Sequence, residues 1–502
     1  MQIAVIGAGT MGRGIAQLLA QAGHTVRIYD AVPGAAAKGV AAVKAVLDKE
    51  AAKGKLAGGE ARAILARLLP AEALAALVDC ELVFEAVFED LEVKRALFRE
   101  LEEIVAPGAI LATNTSSFLV ADIAAACRDP GRVAGAHFFN PVPLMRVVEI
   151  IAALRTRPEV VERLSALLSA AGHRTVTVQD QSGFLINHIG RGLYTEGLRI
   201  LEEGVTSQAG VDELMREAAG FRMGPFELLD LTGLDVSGKV MQSIFEQFQY
   251  EPRFRPSTLV PPRIAAGLHG RKTGGGWYTY RDGQKVLGDP PPPPPPPPSG
   301  CRVWIDPAAA DAERLRRDFA GAGAAVSAEP GGDSLLVIQP WGLDATGAAN
   351  AAGLDPARCV AIDPLPGLDR RLSLMLTVAT AARHRDTALA LLQRAGHRVT
   401  LIADSPGFVV QRVLATIVNI AAEAAQRGIA SVPDLEDAVV RGLGYPAGPL
   451  ALGDGIGARR VVQILDGIHE TTRDPRYRPS LWLRRRAQAG LPLRTPGPAL
   501  TA

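Results

Sequence analysis

His137 and Glu149 are the residues whose types and spacing first suggest chemistry. His137 stands in Gly135-Ala136-His137-Phe138-Phe139-Asn140-Pro141-Val142-Pro143, and Glu149 follows twelve residues later in the extended segment 146–151. Dehydrogenating an alcohol requires a base at the hydroxyl, and imidazole, whose ordinary pKa lies near neutrality, can serve without large tuning. A carboxylate behind the ring would fix its tautomer and stabilise the imidazolium as it forms. A second polar segment, Thr113-Asn114-Thr115-Ser116-Ser117, closes another strand-like run. Taken alone, His137 is equally compatible with a satisfied core histidine at a strand end.

The hydride such a reaction releases needs an acceptor, and the N-terminus offers a place for one. Gly7-Ala8-Gly9-Thr10-Met11-Gly12 follows an apolar strand and opens a helix. In that context Gly7 permits a tight turn, Gly9 admits a pyrophosphate against the backbone, and Gly12 lets the helix pack on the sheet. The helix N-terminus, with Thr10 and Met11, presents unpaired N–H groups to the phosphates. Asp30 ends the second strand, eighteen residues beyond Gly12, where a carboxylate can accept from both ribose hydroxyls. No Arg or Lys follows within a few residues, so the pattern favours NAD over NADP. A GxGxxG string alone is weak in a chain with 52 glycines; the flanking strand, helix and Asp30 give it weight.

These side chains require an open α/β sheet to position them. Over residues 1–150, strand candidates 3–6, 26–29, 82–86, 110–113 and 133–138 alternate with helical patterns at 12–22, 35–68 and 91–105. Such alternation implies a parallel sheet covered by helices, with ligands bound at the carboxyl ends of the strands. After a strand-like 175–178 the pattern is helical from Gly183 to about Tyr280. Residues 290–298 are nine consecutive prolines, which as polyproline II would span roughly 28 Å. A second α/β-like region and a second helical region follow. The expected division is a Rossmann-type domain at 1–182, a helical domain at 183–282, a polyproline linker at 283–300, a degenerate Rossmann-like domain at 301–400, a second helical domain at 401–491 and a tail at 492–502.

The chain also repeats itself. Ala171-Gly172-His173-Arg174, Asp180, Gly183-Phe184 and Gly224-Pro225 return, shifted by 224, as Ala395-Gly396-His397-Arg398, Asp404, Gly407-Phe408 and Gly448-Pro449. Arg253-Phe254-Arg255-Pro256-Ser257 returns as Arg476-Tyr477-Arg478-Pro479-Ser480. A constant offset of this kind marks a duplicated helical domain. Its second copy is strongly apolar through Phe408–Ile420, so it is expected to pack on residues 183–280 as a pseudo-symmetric pair. The second half lacks the glycine fingerprint, has neither His nor Glu across 355–382, and carries Gln411 in place of Asn187. His173 and His397, each following Ala-Gly, read as helix-terminal caps.

Bulk properties narrow the function classes. With 502 residues, several cores are expected. A net charge of +1 gives no electrostatic reason for a nucleic-acid or membrane partner. Four cysteines far apart, without CxxC spacing, indicate neither zinc nor a disulfide framework. No apolar run is long enough to span a bilayer and no signal-type segment opens the chain, which reads as cytoplasmic.

The fingerprint, Asn114-Thr115-Ser116-Ser117, the His137–Pro143 block, Gly183-Phe184-Leu185-Ile186-Asn187, Gly224–Asp230 and Arg271–Tyr278 together resemble the L-3-hydroxyacyl-CoA dehydrogenase family. The resemblance runs in order through residues 1–280. It implies NAD-dependent oxidation of a 3-hydroxyacyl-CoA to a 3-ketoacyl-CoA, with His137 as base and Glu149 as its partner. It also implies Ser116 and Asn187 on the substrate, and Glu89, Lys94 and Asn114 near the nicotinamide and its ribose. Lys53-Gly54-Lys55 matches the place where family members handle CoA phosphates, although two lysines on a turn are as often a solvated loop. The whole chain resembles a long bacterial branch with two helical domains, acting on 3-hydroxybutyryl-CoA or 3-hydroxyadipyl-CoA in fatty-acid or phenylacetate catabolism. Alternatives are a reductase of another 3-hydroxy acid and a non-catalytic, crystallin-like NAD-binding protein. A homodimer stays open beside the intrachain pair of helical domains.

Overall fold

The computed structural model describes residues 1–288 and 296–497; prolines 290–295 of the expected rod and residues 498–502 of the tail lie outside the described residues. The chain forms two compact units, residues 1–188 with 427–443, and residues 189–426 with 444–502.

The first unit is built on an eight-stranded sheet: β1 (Gln2–Ile6), β2 (Thr25–Tyr29), β3 (Leu68–Ala71), β4 (Leu82–Glu85), β5 (Ile110–Thr113), β6 (Val133–Phe138), β7 (Val147–Ala152) and β8 (Arg174–Gln179). Their order is β3-β2-β1-β4-β5-β6-β7-β8. All neighbours are parallel except β6 and β7, which run antiparallel. The central strands are buried along their length, as a sheet covered on both faces requires. β3 was not legible in the sequence because Leu-Leu-Pro-Ala does not read as a strand; Pro70 is tolerated because β3 is at the sheet edge.

Six helices connect these strands: α1 (Thr10–Gln21), α2 (Ala35–Ala52), α3 (Gly58–Leu65), α4 (Leu91–Ile104), α5 (Val120–Ala124) and α6 (Pro158–Ala170). α4 starts at Asp90, whose carboxylate accepts from the Val93 N–H, and buries Phe98 and Leu101 on one face. α6 begins with Pro158 at its first turn and is followed by Gly172 with φ +87°.

α7 (Ile186–Glu202) opens the helical series, followed by α8 (Gln208–Glu213), a π-helical turn (Leu214–Ala218), α9 (Pro225–Thr232), α10 (Leu234–Gln247) and α11 (Val260–Ala265). A hairpin of β9 (Tyr280–Arg281) and β10 (Gln284–Lys285) comes next, so the start of the expected linker is paired strand. The second sheet holds β11 (Arg302–Ile305), β12 (Ala325–Ser327), β13 (Leu335–Ile338), β14 (Cys359–Ile362), β15 (Leu372–Leu376) and β16 (Val399–Ile402), in the order β12-β11-β13-β14-β15-β16. Its helices are α12 (Ala312–Gly321), α13 (Ala345–Ala351) and α14 (Ala382–Arg394). The closing helices are α15 (Val410–Gln426), α16 (Val432–Leu443), α17 (Pro449–Ile456), α18 (Ala458–Thr472) and α19 (Leu481–Ala489).

The second α/β region repeats details of the first. α6 and α14 are equivalent at the same offset of 224, and β14/β15 repeat the antiparallel pairing of β6/β7. Asp404 accepts from the Ala345 and Thr346 N–H groups as Asp180 does from those of Val120 and Ala121. Between β12 and β13 there is only a short loop, where the first unit has α2, α3, β3, β4 and α4 around its glycine turn.

Within the second unit the two helical copies meet. α15 is buried on nearly all sides, and a Cβ at Gly192 of α7 would lie 2.9 Å from the Ile417 Cα. Arg412, fully buried, binds Glu196, Glu203 and the Tyr477 hydroxyl. Arg253 Nη2 donates to the Arg478 carbonyl at 2.8 Å, joining the two repeated Arg-Phe/Tyr-Arg-Pro-Ser segments. A single-residue loss at such a buried ion pair leaves an uncompensated charge.

Asp363 stands against Ser373, donating its N–H to the Ser373 carbonyl, where the first sheet sets His137 against Glu149. Asp363 is fully buried; burial pushes its carboxyl up to about 6, against the opposing hydrogen bonds from Gln411 and the Leu365 N–H. A folded value above the ordinary 3.8 means the folded state holds the proton more tightly. Stability therefore falls as pH rises from about 4 to about 6 and stays lower above that. Asp363→Asn removes the charge; its melting temperature is expected to exceed wild type by a few degrees at pH 7.5, with the gap closing towards pH 4. A gap that does not change with pH counts against a buried charge.

Candidate active site

The glycine turn has the shape its sequence predicts. Gly7 has φ +99°, and a Cβ there would come within 2.5 Å of the Ala86 carbonyl oxygen. A Cβ at Gly12 would lie 1.8 Å from the Gly7 carbonyl oxygen, so α1 can start only with glycine at that place. A Cβ at Gly9 meets nothing within 4 Å, which leaves the backbone open to a phosphate group. Asp30 follows β2; its Oδ2 accepts from the Ala8 N–H at 2.7 Å and its Oδ1 from the Val32 N–H at 2.9 Å. The Asp30 carboxylate thus pins the turn. These features fit a dinucleotide.

Beside this turn, at the ends of β4 and β5, lies a carboxylate network. Lys94 is buried, with Nζ 2.6 Å from Glu85 Oε1 and 3.2 Å from Glu89 Oε2. Glu89 Oε1 accepts from the Thr115 hydroxyl, the Ser117 hydroxyl and the N–H groups of Ser116 and Ser117, between 2.7 and 3.1 Å. Burial works to raise the Glu89 pKa, but the Lys94 charge and these donors hold it below the ordinary value. Glu89 and Lys94 thus fix the loop that presents Ser116. Asn114 Oδ1 accepts from the Phe138 N–H at 2.8 Å, tying this loop to the end of β6.

His137 and Glu149 are directly paired across β6 and β7. The His137 Nδ1 lies 2.5 Å from Glu149 Oε2. Glu149, fully buried, uses its other oxygen to accept from the N–H groups of Leu185 and Ile186 at 2.9 and 2.8 Å. These two donors lie at the entrance to α7, so the carboxylate sits at the positive end of a helix. Asn187 follows directly in that first turn. Phe139 and Phe184 flank the imidazole, with ring centroids 4.5 and 5.4 Å away. With Nδ1 committed to Glu149, Nε2 is the nitrogen left for proton transfer.

A cavity of about 320 Å³ lies between α1, α2 and the loop after β6, lined among others by Thr10, Arg13, Val43, Glu50, Asn140 and Leu144. Lys53 and Lys55 are exposed on the turn that ends α2, and their N–H groups donate to the Glu50 carbonyl at the end of this cavity.

Two positions were not singled out from sequence, and a third was read only as a helix-terminal cap. Glu85, the hub for Lys94 and Thr113, is signalled only by a charge at the end of an otherwise apolar strand. Phe184 was part of a motif, but its contact with His137 is tertiary. His173 is no cap of its own helix through its ring: Nε2 lies 3.1 Å from the Val142 carbonyl, securing the loop that lines the cavity. His397 likewise reaches out, to Leu368 and Asp318. Among the described residues no cluster of metal-binding side chains occurs, and no helix is long and apolar enough to cross a membrane.

The profile for the 3-hydroxyacyl-CoA dehydrogenase NAD binding domain matches residues 2–181, and that for the 3-hydroxyacyl-CoA dehydrogenase C-terminal domain matches 183–280 and again 407–498. The chain is 36% identical to the 3-hydroxyadipyl-CoA dehydrogenase of Escherichia coli, over 97% of both proteins. It is 37% identical to a probable 3-hydroxybutyryl-CoA dehydrogenase of Bacillus subtilis, over 56% of this chain and 98% of that one. A crystal structure of a 3-hydroxybutyryl-CoA dehydrogenase from Escherichia coli superposes with a TM-score of 0.84 at 34% identity, covering 97% of this chain and 98% of that one. The chain belongs to the 3-hydroxyacyl-CoA dehydrogenase family, both of its helical copies included.

Proposed function

We propose that the protein oxidises an L-3-hydroxyacyl-CoA to the 3-ketoacyl-CoA, with the His137–Glu149 pair as its proton-transfer machinery. The observation that carries this is the 2.5 Å contact from Glu149 to Nδ1, which leaves Nε2 as the base. NAD, held by Gly7, Gly9, Thr10, Met11, Gly12 and Asp30, supplies the hydride acceptor. His137 Nε2 takes the proton of the 3-hydroxyl, and Glu149 stabilises the imidazolium so formed. Ser116 and Asn187 hydrogen-bond the substrate, Asn114, Glu89 and Lys94 shape the nicotinamide side, and Lys53 and Lys55 receive the CoA phosphates. Residues 1–182 and 183–282 form the catalytic half and 301–400 with 401–491 a silent half, in a cytoplasmic enzyme.

Of the two acyl groups open to this reading, 3-hydroxybutyryl and 3-hydroxyadipyl, each the name of an end-to-end relative from Escherichia coli, the one put to the test is 3-hydroxyadipyl. Turnover with NAD is measured on 3-hydroxybutyryl-, 3-hydroxyhexanoyl- and 3-hydroxyadipyl-CoA. The dicarboxylic substrate is expected to lead in kcat/KM by roughly tenfold or more, because a site built for a polar end group rejects an acyl chain that lacks it. A ratio in favour of the four-carbon substrate assigns the enzyme to 3-hydroxybutyryl-CoA instead.

A further inference from the structure

The silent half contributes a helix to the unit that holds the dyad. α16, from the second helical copy, packs on β7 and β8. Arg174 of β8 reaches it through Asp434 at 2.6 Å and Asp437 at 2.9 Å, and the Gln179 N–H donates to the Ile429 carbonyl at 2.9 Å. These contacts set α16 beside the strand that carries Glu149.

At the far end of α16, Gly442 meets Ile186. A Cβ at Gly442 would lie 2.6 Å from the Ile186 Cδ1 and 3.3 Å from its Cγ2. Ile186 is fully buried, so its side chain has little room to turn aside. Its N–H is one of the two that hold Glu149 Oε1, and Glu149 Oε2 holds His137 Nδ1. A displacement at Gly442 therefore passes through one side chain to the carboxylate and through one hydrogen bond to the base. The duplication points the same way. At the same offset the residues equivalent to Gly442 and Ile186 are Ala218 of the first helical copy and Val410 of the second, one methyl more and one methylene less, a volume-conserving exchange.

We propose that Gly442 is a positioning residue of the active site: its missing side chain lets Ile186 seat against α16 and so holds the Glu149 cradle in register with His137. The silent half is thereby a working part of the catalytic unit. This rests on the reading of His137 and Glu149 as the proton-transfer pair.

The test uses the full-length enzyme with Gly442→Ala and the double variant Gly442→Ala/Ile186→Val, which installs the residue types of the equivalent positions Ala218 and Val410. The gain in helix propensity from alanine is opposed by overpacking against Ile186, so the melting temperature of Gly442→Ala is expected to stay within a few degrees of wild type. Its kcat is expected to fall roughly five- to tenfold, since small misplacements of a catalytic group are costly. The basic limb of its kcat–pH profile should shift, and KM for NAD should stay at the wild-type value. The double variant should return kcat to within about twofold of wild type. Wild-type kcat in Gly442→Ala, or a loss that Ile186→Val does not repair, overturns the proposal. If His137→Gln is nearly inactive while Gly442→Ala is fully active, only the positioning role fails; if His137→Gln is itself active, the dyad reading fails instead.

Discussion

Replacing His137 by Gln is expected to lower kcat by about 10²–10⁴, the range for loss of a general base, with little change in NAD affinity. Glutamine has similar reach and can keep a hydrogen bond to Glu149, but it has no nitrogen that accepts a proton at neutral pH. The substitution lies at the end of β6, whereas the glycine turn and Asp30 are on the loops after β1 and β2, so the cofactor site is not touched. Steady-state kinetics together with NAD binding by fluorescence separate the two effects. A variant within threefold of wild type rules His137 out as the base.

Glu149→Gln is expected to cost a comparable factor, on the order of 10²–10⁴, although it changes neither size nor shape. The reason lies in what surrounds the carboxylate. Oε1 faces two donors, the Leu185 and Ile186 N–H groups, so the amide of a glutamine must turn its carbonyl towards them. Its NH2 then faces His137 Nδ1, which must become an acceptor, and the ring proton moves to Nε2. The nitrogen that should take the substrate's proton already carries one. Nitrogen NMR of the imidazole should show the tautomer reversed, with the melting temperature nearly unchanged. If the wild-type tautomer persists and kcat falls less than tenfold, Glu149 does not set the proton's position.

The pairing on which both expectations rest was only half legible beforehand. The spacing of twelve residues between His137 and Glu149 allowed many arrangements; it was the return of the chain from β6 to an antiparallel β7 that put them opposite one another. The Leu185–Ile186 cradle lies 36 and 37 residues further on and has no sequence signature of its own, because a backbone N–H belongs to every residue but proline. Glu85 reads as an ordinary charge and Lys94 was placed near the nicotinamide by the family resemblance alone; burial joins the two in one network.

The sequence by itself determined the parts governed by local rules. Glycine spacing imposed the turn after β1, since Gly7 and Gly12 leave no room for a side chain. Apolar runs set the strands β1, β4, β5 and β6, and the constant offset exposed the duplicated helices. The tertiary structure alone decided what depends on distant segments meeting. It gave the Rossmann-like second region its strand pairing, with antiparallel β14/β15 repeating β6/β7, a detail hidden in sequence because many residues fill a buried strand equally well. It brought α16, some 260 residues from β8, onto the catalytic unit through Arg174, Asp434 and Asp437. Surface charges and a glycine look the same in any helix; only the surface they meet gives them a role.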